Sequence, residues 1–446
     1  MKIAQDKFLR CLIIFLLTIS AWGWGADFYV ATSGDNKAGD GSLENPWRTI
    51  AHGLSKLKPG DTLFVRGGVY EEESLSVPSG TAGSPVTVKA YPGEIPILCG
   101  AAALTGWQQC TDTDDWLDGK NADYANIFRV RAESRYFPPR LVLENDEQIH
   151  LARYPKQELA FVERVHHEEA SSYDPADPIT FLTIDPASDG ATDHIIDTKA
   201  GRPTEKPDDF WIGGTIRLHS HAAGSWVVPM PITGNSQSES KIFFDSTGTS
   251  MEGKTVVHSA NKDSYAIANH PHVLSSPGEY GYAETTEYHD EFRFYDGPNE
   301  TQYQVGDIVR DPENPDQLRI ALLSNAWTRD LTSGRHWGRY YVYHLYVWPS
   351  ESITSGKTTQ QIIDALDSGI IRVPVLNTGF YVTYKEHFVI DGFHIRGFYE
   401  RGIQTRYAPS NGIAVRNCVV EDCGNTGIAV SAVSYTHLTL PTKRIV

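Results

Sequence analysis

Cysteine is scarce, at five among 446 residues, which excludes a small fold held together by disulfides. Methionine is scarcer still, at three, against 22 tyrosines and ten tryptophans. That balance suits a β-rich protein of the cell exterior. Positive charge is the minority: 39 Lys and Arg face 56 Asp and Glu, for a net charge of −17. A nucleic-acid binder carries a basic face, so nucleic acid is not an expected partner. An anionic polysaccharide would need a local basic cleft or a bound cation to offset the same field. No glycine-rich phosphate loop, Gly-x-Ser-x-Gly elbow or thiol–histidine arrangement is present, so nucleotide and acyl-transfer chemistry lack support. With 40% hydrophobic and 21% charged residues, collagen-like, coiled-coil and wholly disordered chains are excluded as well.

The two ends read differently from the middle. Lys2, Lys7 and Arg10 precede the apolar run Cys11–Ala21, which is too short to span a bilayer. Small residues follow at cleavage spacing. Residues 1–25 are therefore expected to be a signal peptide cut near Gly25, giving a secreted or periplasmic protein with no membrane attachment after cleavage. Cleavage leaves Cys99, Cys110, Cys418 and Cys423. Cys99 and Cys110 are near enough in sequence to pair, Cys418 and Cys423 only if their turn allows it, and buried free thiols are the alternative. At the other end, Val-Ser-Tyr-Thr-His-Leu-Thr-Leu-Pro-Thr from Val433 resembles a translated sequencing adapter. Residues 433–446 are thus expected to be a non-native tail, with the protein's own sequence continuing beyond Ala432.

The middle contains 38 glycines and 25 prolines, which suits many short strands and turns. Phe388–Arg396 aligns with Ile413–Glu421 at an offset of 25: Ile390 falls on Val415, Phe393 on Cys418 and Ile395 on Val420. Gly402-Ile403 falls on Gly427-Ile428 at the same spacing. Each unit holds three short runs of alternating apolar residues separated by Gly, Asn or Asp, the pattern of strands. Near the N-terminus, Thr62–Arg66 aligns with Val86–Ala90 at an offset of 24. Before them, Ile50, Leu54 and Leu57 share one face of a helix expected over Trp47–Lys58, stopped by Pro59-Gly60. Such a helix would cap the open end of a stack.

Here the residues carry a family likeness. Phe28-Tyr29-Val30, Ser33-Gly34-Asp35, Gly39-Asp40-Gly41-Ser42, Asn45-Pro46-Trp47, Gly60-Asp61-Thr62, Arg66-Gly67-Gly68-Val69-Tyr70 and Tyr91-Pro92-Gly93-Glu94 occur in that order. Together they resemble the N-terminal segment of secreted bacterial right-handed β-helix proteins of the pectate-lyase-like superfamily. The resemblance implies an all-β chain: a truncated right-handed parallel β-helix with a short N-terminal capping helix and a large β-rich, sandwich-like insert. The expected parts are the cap and first coils at 26–100, the insert at 101–370 and the main coils at 371–432. Arg140-Leu141, Ala152-Arg153-Tyr154-Pro155 and Leu345–Pro349 in the insert resemble those of β-helix glycoside hydrolases of xylosidase and fucosidase type.

That likeness implies a carbohydrate-active protein. A hydrolase needs two carboxyl groups flanking the glycosidic bond. A lyase abstracts a proton with Lys or Arg and commonly neutralises a uronate with calcium. By resemblance, the Gly402-Ile403 and Gly427-Ile428 strands belong to the sheet that forms the groove, with Gln404 and Ala429 facing outward. Glu400, Glu421 and Asp422 are the catalytic candidates, and Arg401, Gln404 and Arg406 the candidates for holding substrate. The plain alternative for all of these is a solvated turn. His219 with His221, His270-Pro271-His272 and Glu287–Asp290 match no compact metal signature, and the acidic loop Asp112–Gly119 lacks the distal glutamate of a calcium hand, so no metal ligand is assigned. The expected function is a glycoside hydrolase acting on plant or algal polysaccharide, the present chain being an N-terminal part without activity of its own. The alternatives are a polysaccharide lyase with a Lys or Arg base and calcium, and a non-catalytic glycan-binding or surface protein.

Overall fold

The computed structural model describes residues 25–114, 116–154, 182–220, 226–257, 264–292, 294–295, 303–322, 337–408 and 411–432. The segments read as signal and as adapter tail, and His221, lie outside the described residues. The chain is all-β, with about 40% strand and 11% helix. It divides into two compact units: residues up to Ala102 together with those from Pro374 onward, and Ala103–Val373. No helix among the described residues is long and apolar enough to cross a membrane.

Among the described residues, twelve strands build the parallel sheets of the first unit: β1 (Asp27–Val30), β2 (Thr62–Val65), β3 (Gly68–Tyr70), β4 (Val86–Ala90), β5 (Pro96–Cys99), β6 (Thr378–Thr383), β7 (Phe388–Asp391), β8 (His394–Arg396), β9 (Arg401–Ala408), β10 (Ile413–Arg416), β11 (Val419–Glu421) and β12 (Thr426–Ala432). They form three sheets in the orders β1-β2-β4-β7-β10, β3-β5-β8-β11 and β6-β9-β12. Every pairing within these sheets is parallel. The chain therefore visits the three sheets in turn: β4, β5 and β6, then β7, β8 and β9, then β10, β11 and β12 give one strand to each, whereas β2 and β3 are followed only by an isolated bridge at Leu75 and β1 stands alone. The round containing β4 and β5 receives its third strand, β6, only after the 103–373 excursion.

Register turns the sequence repeat into a core. Leu63, Val88, Ile390 and Val415 lie opposite one another down the first sheet. Tyr70, Leu98, Ile395 and Val420 do so down the second, and Leu75, Phe380, Ile403 and Ile428 down the third. All twelve belong to or pack against one apolar cluster. Burying each large side chain there contributes about 1.5–3 kcal/mol. At the corners Phe393 and Phe398 are stacked with their 25-residue equivalents Cys418 and Cys423, and all four are buried. Each cysteine fills a different corner as a small apolar residue, which is why these two do not meet. Cys99, Cys110, Cys418 and Cys423 are all buried free thiols, and burial pushes the Cys418 thiol up to about 11.

Two expectations need correction. Thr62–Val65 lies on Thr87–Ala90, an offset of 25 rather than 24. A one-residue slip exchanges the two faces of a strand, and the observed register puts Leu63 and Val88, both fully buried, in one inward column. The helix is Ile50–Leu54 only. Thr49 caps it by accepting from the His52 N–H, and the Glu72 carboxylate accepts from the Ile50 and Ala51 N–H groups. Trp47 sits outside it, bridged to Val30. Leu57 is buried beyond its last turn, together with Ile50 and Leu54.

The second unit is built from a ten-stranded and a seven-stranded sheet. The Val142–Glu144 and Glu147–Leu151 strands form an antiparallel hairpin around Asn145 and Asp146. Both turn residues have positive φ, at 51° and 67°, as a two-residue hairpin demands. Trp226–Ser236 pairs with Thr215–Ser220 on one stretch and Lys241–Phe244 on another. Tyr346 of the longer sheet joins Ile216, Leu218, Tyr265 and Ile267 of the shorter in one core.

Candidate functional site

The sequence-predicted residues sit where the chain turns from the second sheet of the first unit into the third. Gly379, Gly402 and Gly427 open the three successive strands of that third sheet, one against the next. A Cβ on Gly402 would lie 2.4 Å from the Val420 Cγ1 and 3.0 Å from the Gly427 carbonyl oxygen. The Gly-Ile repeat thus has a packing cause: glycine lets the corner pass beside Val420, and isoleucine then enters the core.

Immediately before Gly402, the Glu400 carboxylate accepts from the Asn425 Nδ2 at 2.9 Å. These two residues are coil equivalents, 25 apart. The Arg401 guanidinium lies 3.6 Å from the same carboxylate and donates to the Gln404 Oε1 at 3.3 Å. Ile403 and Thr405 are buried toward the core, while Arg406 is exposed. Gln404 shares a row with Tyr381 and Ala429, yet is only 9% exposed. It offers little surface of its own and acts chiefly on Arg401.

Glu421 belongs to a neighbouring group. It ends β11 opposite Arg396, and its carboxylate lies 2.5 Å from the His394 Nε2. Asp422 follows in a left-handed conformation, φ 47°, with its carbonyl accepting the Gly397 N–H. The structure therefore brings Glu400, Arg401, Gln404 and Asn425 together through two hydrogen bonds and one ion pair, and places Glu421 with His394 separately. No hydrogen bond or ion pair between described residues joins Glu400 to Glu421. Asn425 was legible as the coil equivalent of Glu400. His394 was not, because it meets Glu421 on the diagonal. On the first sheet, Asp391 accepts from Arg416 Nε and Asn417 Nδ2.

The N-terminal motif residues are structural. Glu94 takes both oxygens to Arg66, at 2.6–2.9 Å, and also accepts the Gly67 N–H. The Arg66 side chain, foremost, holds the Glu94 carboxyl below the usual range. Arg66 lies over the Tyr91 ring, and its carbonyl accepts from the Tyr70 hydroxyl. Asp35 and Asp40 accept backbone N–H groups of their own turns. Among the described residues no group of three or more His, Cys, Asp or Glu gathers in metal-holding geometry. In the second unit His270 is buried against Trp211, with Nε2 2.9 Å from the Phe210 carbonyl. Burial, with Lys120 next, pushes its imidazole down to about 3. Trp107, Trp211 and Trp337 are buried, so these rings are core rather than sugar platforms.

No family model matches the chain. Over 78 residues it is 36% identical to the uncharacterized protein YwoF of Bacillus subtilis, a stretch covering 18% of this chain and 16% of that protein. Over 77 residues it is 35% identical to the pectate lyase PEL9 of Emericella nidulans, covering 17% and 18% respectively. The chain thus spans under a fifth of the length of the curated relatives it matches. A solved structure titled glycoside hydrolase superposes with a TM-score of 0.48 at 12% identity, over 92% of this chain and 68% of the other. The complex of XylC with xylose superposes at 0.32 and 13%, over 91% and 51%.

The glycine stack generates a stability prediction. Gly402→Ala forces a methyl group into Val420 and destabilises the first unit by about 1–3 kcal/mol. Val419→Ala, at a strand position 39% exposed, stays within about 0.5 kcal/mol. Urea unfolding midpoints of the two variants check this. Equal midpoints would show that the corner is not packed as described.

Proposed function

We propose that the first unit is a right-handed parallel β-helix, with 103–373 as its sandwich-like insert, and that the protein is a secreted glycoside hydrolase acting on plant or algal polysaccharide. The observation carrying this reading is the polar row at the corner of the third sheet: a carboxylate, a guanidinium and two amides from consecutive rounds, held in register by the backbone. The 35% identity to a pectate lyase over 77 residues and the ordered N-terminal motifs support carbohydrate as the substrate class. Fold alone does not fix a reaction, so the assignment rests on the residues.

In this reading one of Glu400, Glu421 and Asp422 protonates the departing glycosidic oxygen. A second acts as nucleophile, or as the base that removes a proton from the attacking water. Arg401 and Arg406 hold sugar hydroxyls or carboxylates, with Gln404 and Asn425 fixing Arg401 and Glu400. The second reading, a polysaccharide lyase, is favoured by the pectate lyase match. It would use Arg401 or Arg406 as the base that removes the proton beside a uronate carboxyl. The Glu400 and Glu421 carboxylates have separate partners, Asn425 and His394, and do not converge as a calcium cage.

Incubation of the protein encoded by the gene re-read through the Ala432 codon with neutral and acidic plant and algal polysaccharides distinguishes the readings. New reducing ends without an unsaturated product support hydrolysis, and Glu400→Gln or Glu421→Gln then lowers kcat by about 10²–10⁴. An ultraviolet-absorbing unsaturated product replaces the hydrolase by the lyase. Retention on a glycan in affinity electrophoresis with neither product reduces the protein to a binding module. Absence of both retention and turnover overturns the carbohydrate reading.

Secretion has a structural consequence. Asp61, 7% exposed, accepts the Ala26 N–H at 2.9 Å and the Lys58 N–H at 2.7 Å. Cleavage after Gly25 would make the Ala26 nitrogen an ammonium group and its bond to Asp61 charge-assisted. Intact-mass measurement of protein recovered outside the cell should give a chain beginning at Ala26. Full-length protein retained inside would contradict export.

A further inference from the structure

Among the described residues, eleven other than glycine have a positive φ. Ten of them are Ser, Asp, Asn or His, whose small or polar side chains suit that backbone. The eleventh is Tyr384, at φ 53°. A bulky aromatic residue is strained there. Burial does not offset the strain, because Tyr384 is 70% exposed, more than any other large hydrophobic residue among those described. One exposed ring is ordinary on a protein surface. A ring held out to water by a strained backbone points to function rather than to packing.

The backbone that carries the ring is fixed. Tyr384 follows directly on β6, and its N–H donates to the Arg406 carbonyl of β9 at 3.2 Å. Two residues on, the Glu386 N–H donates to the Ser79 Oγ at 3.3 Å. The Gly80 N–H donates to the Glu386 and His387 carbonyls, and the His387 N–H to the Asn411 carbonyl at 2.9 Å. The corner is thus tied to the rounds on both of its sides. Along the outward face of the same two strands the neighbours are polar. Tyr381 and Thr383, both half-buried, lie opposite Gln404 and Arg406, and Arg406 is exposed. Arg401, next to Glu400, lies opposite Thr378 at the other end of the pair. From Arg401 to Arg406 is about 16 Å at roughly 3.3 Å per residue.

We infer that Tyr384 is the stacking platform of a sugar subsite, placed at the opposite end of the third sheet from Glu400 and taking one pyranose ring of a bound oligosaccharide. The inference rests on the carbohydrate reading and deepens it. A pyranose has an apolar face of C–H groups and a rim of hydroxyls. The phenol ring complements the face, while Thr383 and Arg406 beside it offer hydrogen bonds to the rim. A platform fixed in advance by its corner lowers the ordering cost of binding. Glu400 and Tyr384 then bracket the outward face of the sheet, so that one glycan chain lying along β9 meets the carboxylate at one end and the ring at the other.

Isothermal titration of the protein encoded by the re-read gene tests this with two probes, xylopentaose and pentagalacturonate. At least one should bind, and Tyr384→Asn should bind it about tenfold more weakly, the loss expected for one stacked ring. Which probe binds distinguishes a neutral from an acidic glycan. Asparagine suits a left-handed backbone, so Tyr384→Asn should unfold in urea at a midpoint no lower than that of the unsubstituted protein. Tyr384→Phe keeps the ring and should recover the lost affinity. A lowered midpoint for Tyr384→Asn would show that the ring holds the fold together. Undiminished binding by that variant would show that no sugar rests on the ring, and failure of Tyr384→Phe to recover affinity would assign the contact to the hydroxyl group. Each of these three results overturns the subsite while leaving the carbohydrate reading intact. So does retention or turnover of a polysaccharide without binding of either pentasaccharide. Silence with both probes, combined with no retention or turnover of polysaccharide, removes the carbohydrate reading itself.

Discussion

The first unit depends on a single constraint: its parallel strands keep one register, which from β2 to β4 and from β7, β8 and β9 to β10, β11 and β12 sets a residue against the one 25 positions later. Parallel backbone hydrogen bonds fix that register, and inward columns such as Leu63, Val88, Ile390 and Val415 make any other register costly. A slip of one residue would turn a whole column outward. The same constraint builds the polar corner. Asn425 reaches the Glu400 carboxylate because the two occupy equivalent places on successive rounds, and Gly402 and Gly427 keep that corner open enough to stack. Core and candidate site are thus two faces of one register.

The long excursion is tolerated because it enters at a turn. The first unit's backbone pairs Val86 with Phe388 and Ile97 with His394, as though the intervening chain were one ordinary corner. The inserted residues meet their own hydrophobic requirement with Trp211, Tyr265, Ile267 and their neighbours, so each unit owns a core. Closing contacts across nearly three hundred residues carries a loop-entropy cost that grows only slowly with length, but it places these pairings among the slow steps of folding.

Much of this was legible in the residues. Two nine-residue segments, Phe388–Arg396 and Ile413–Glu421, repeat their apolar pattern closely enough to fix their pairing before any coordinates. The Asn145-Asp146 hairpin was legible too. The Thr62–Val65 pairing was misread by one residue because both strands alternate, and only the neighbouring strand at Phe388 decides which alternate faces inward. The helix was read too long because apolar spacing continues to Leu57 after the hydrogen-bonded turn has ended. At the candidate site, sequence located Glu400, Arg401 and Glu421 on their turns but not their partners. His394 pairs diagonally, and diagonal contacts leave no period.

Engineered cross-linking tests the 25-residue register most directly. Asp391 and Arg416 are direct partners on adjacent parallel strands, where Cα separations fall within disulfide reach. The Asp391→Cys, Arg416→Cys pair should form an intramolecular disulfide under mild oxidation, detected as the loss of two titratable thiols in the folded protein. The Asp391→Cys, Val415→Cys pair should not, because Val415 faces the core. Cross-linking of the second pair but not the first would contradict the register, and with it the account of both the core and the corner.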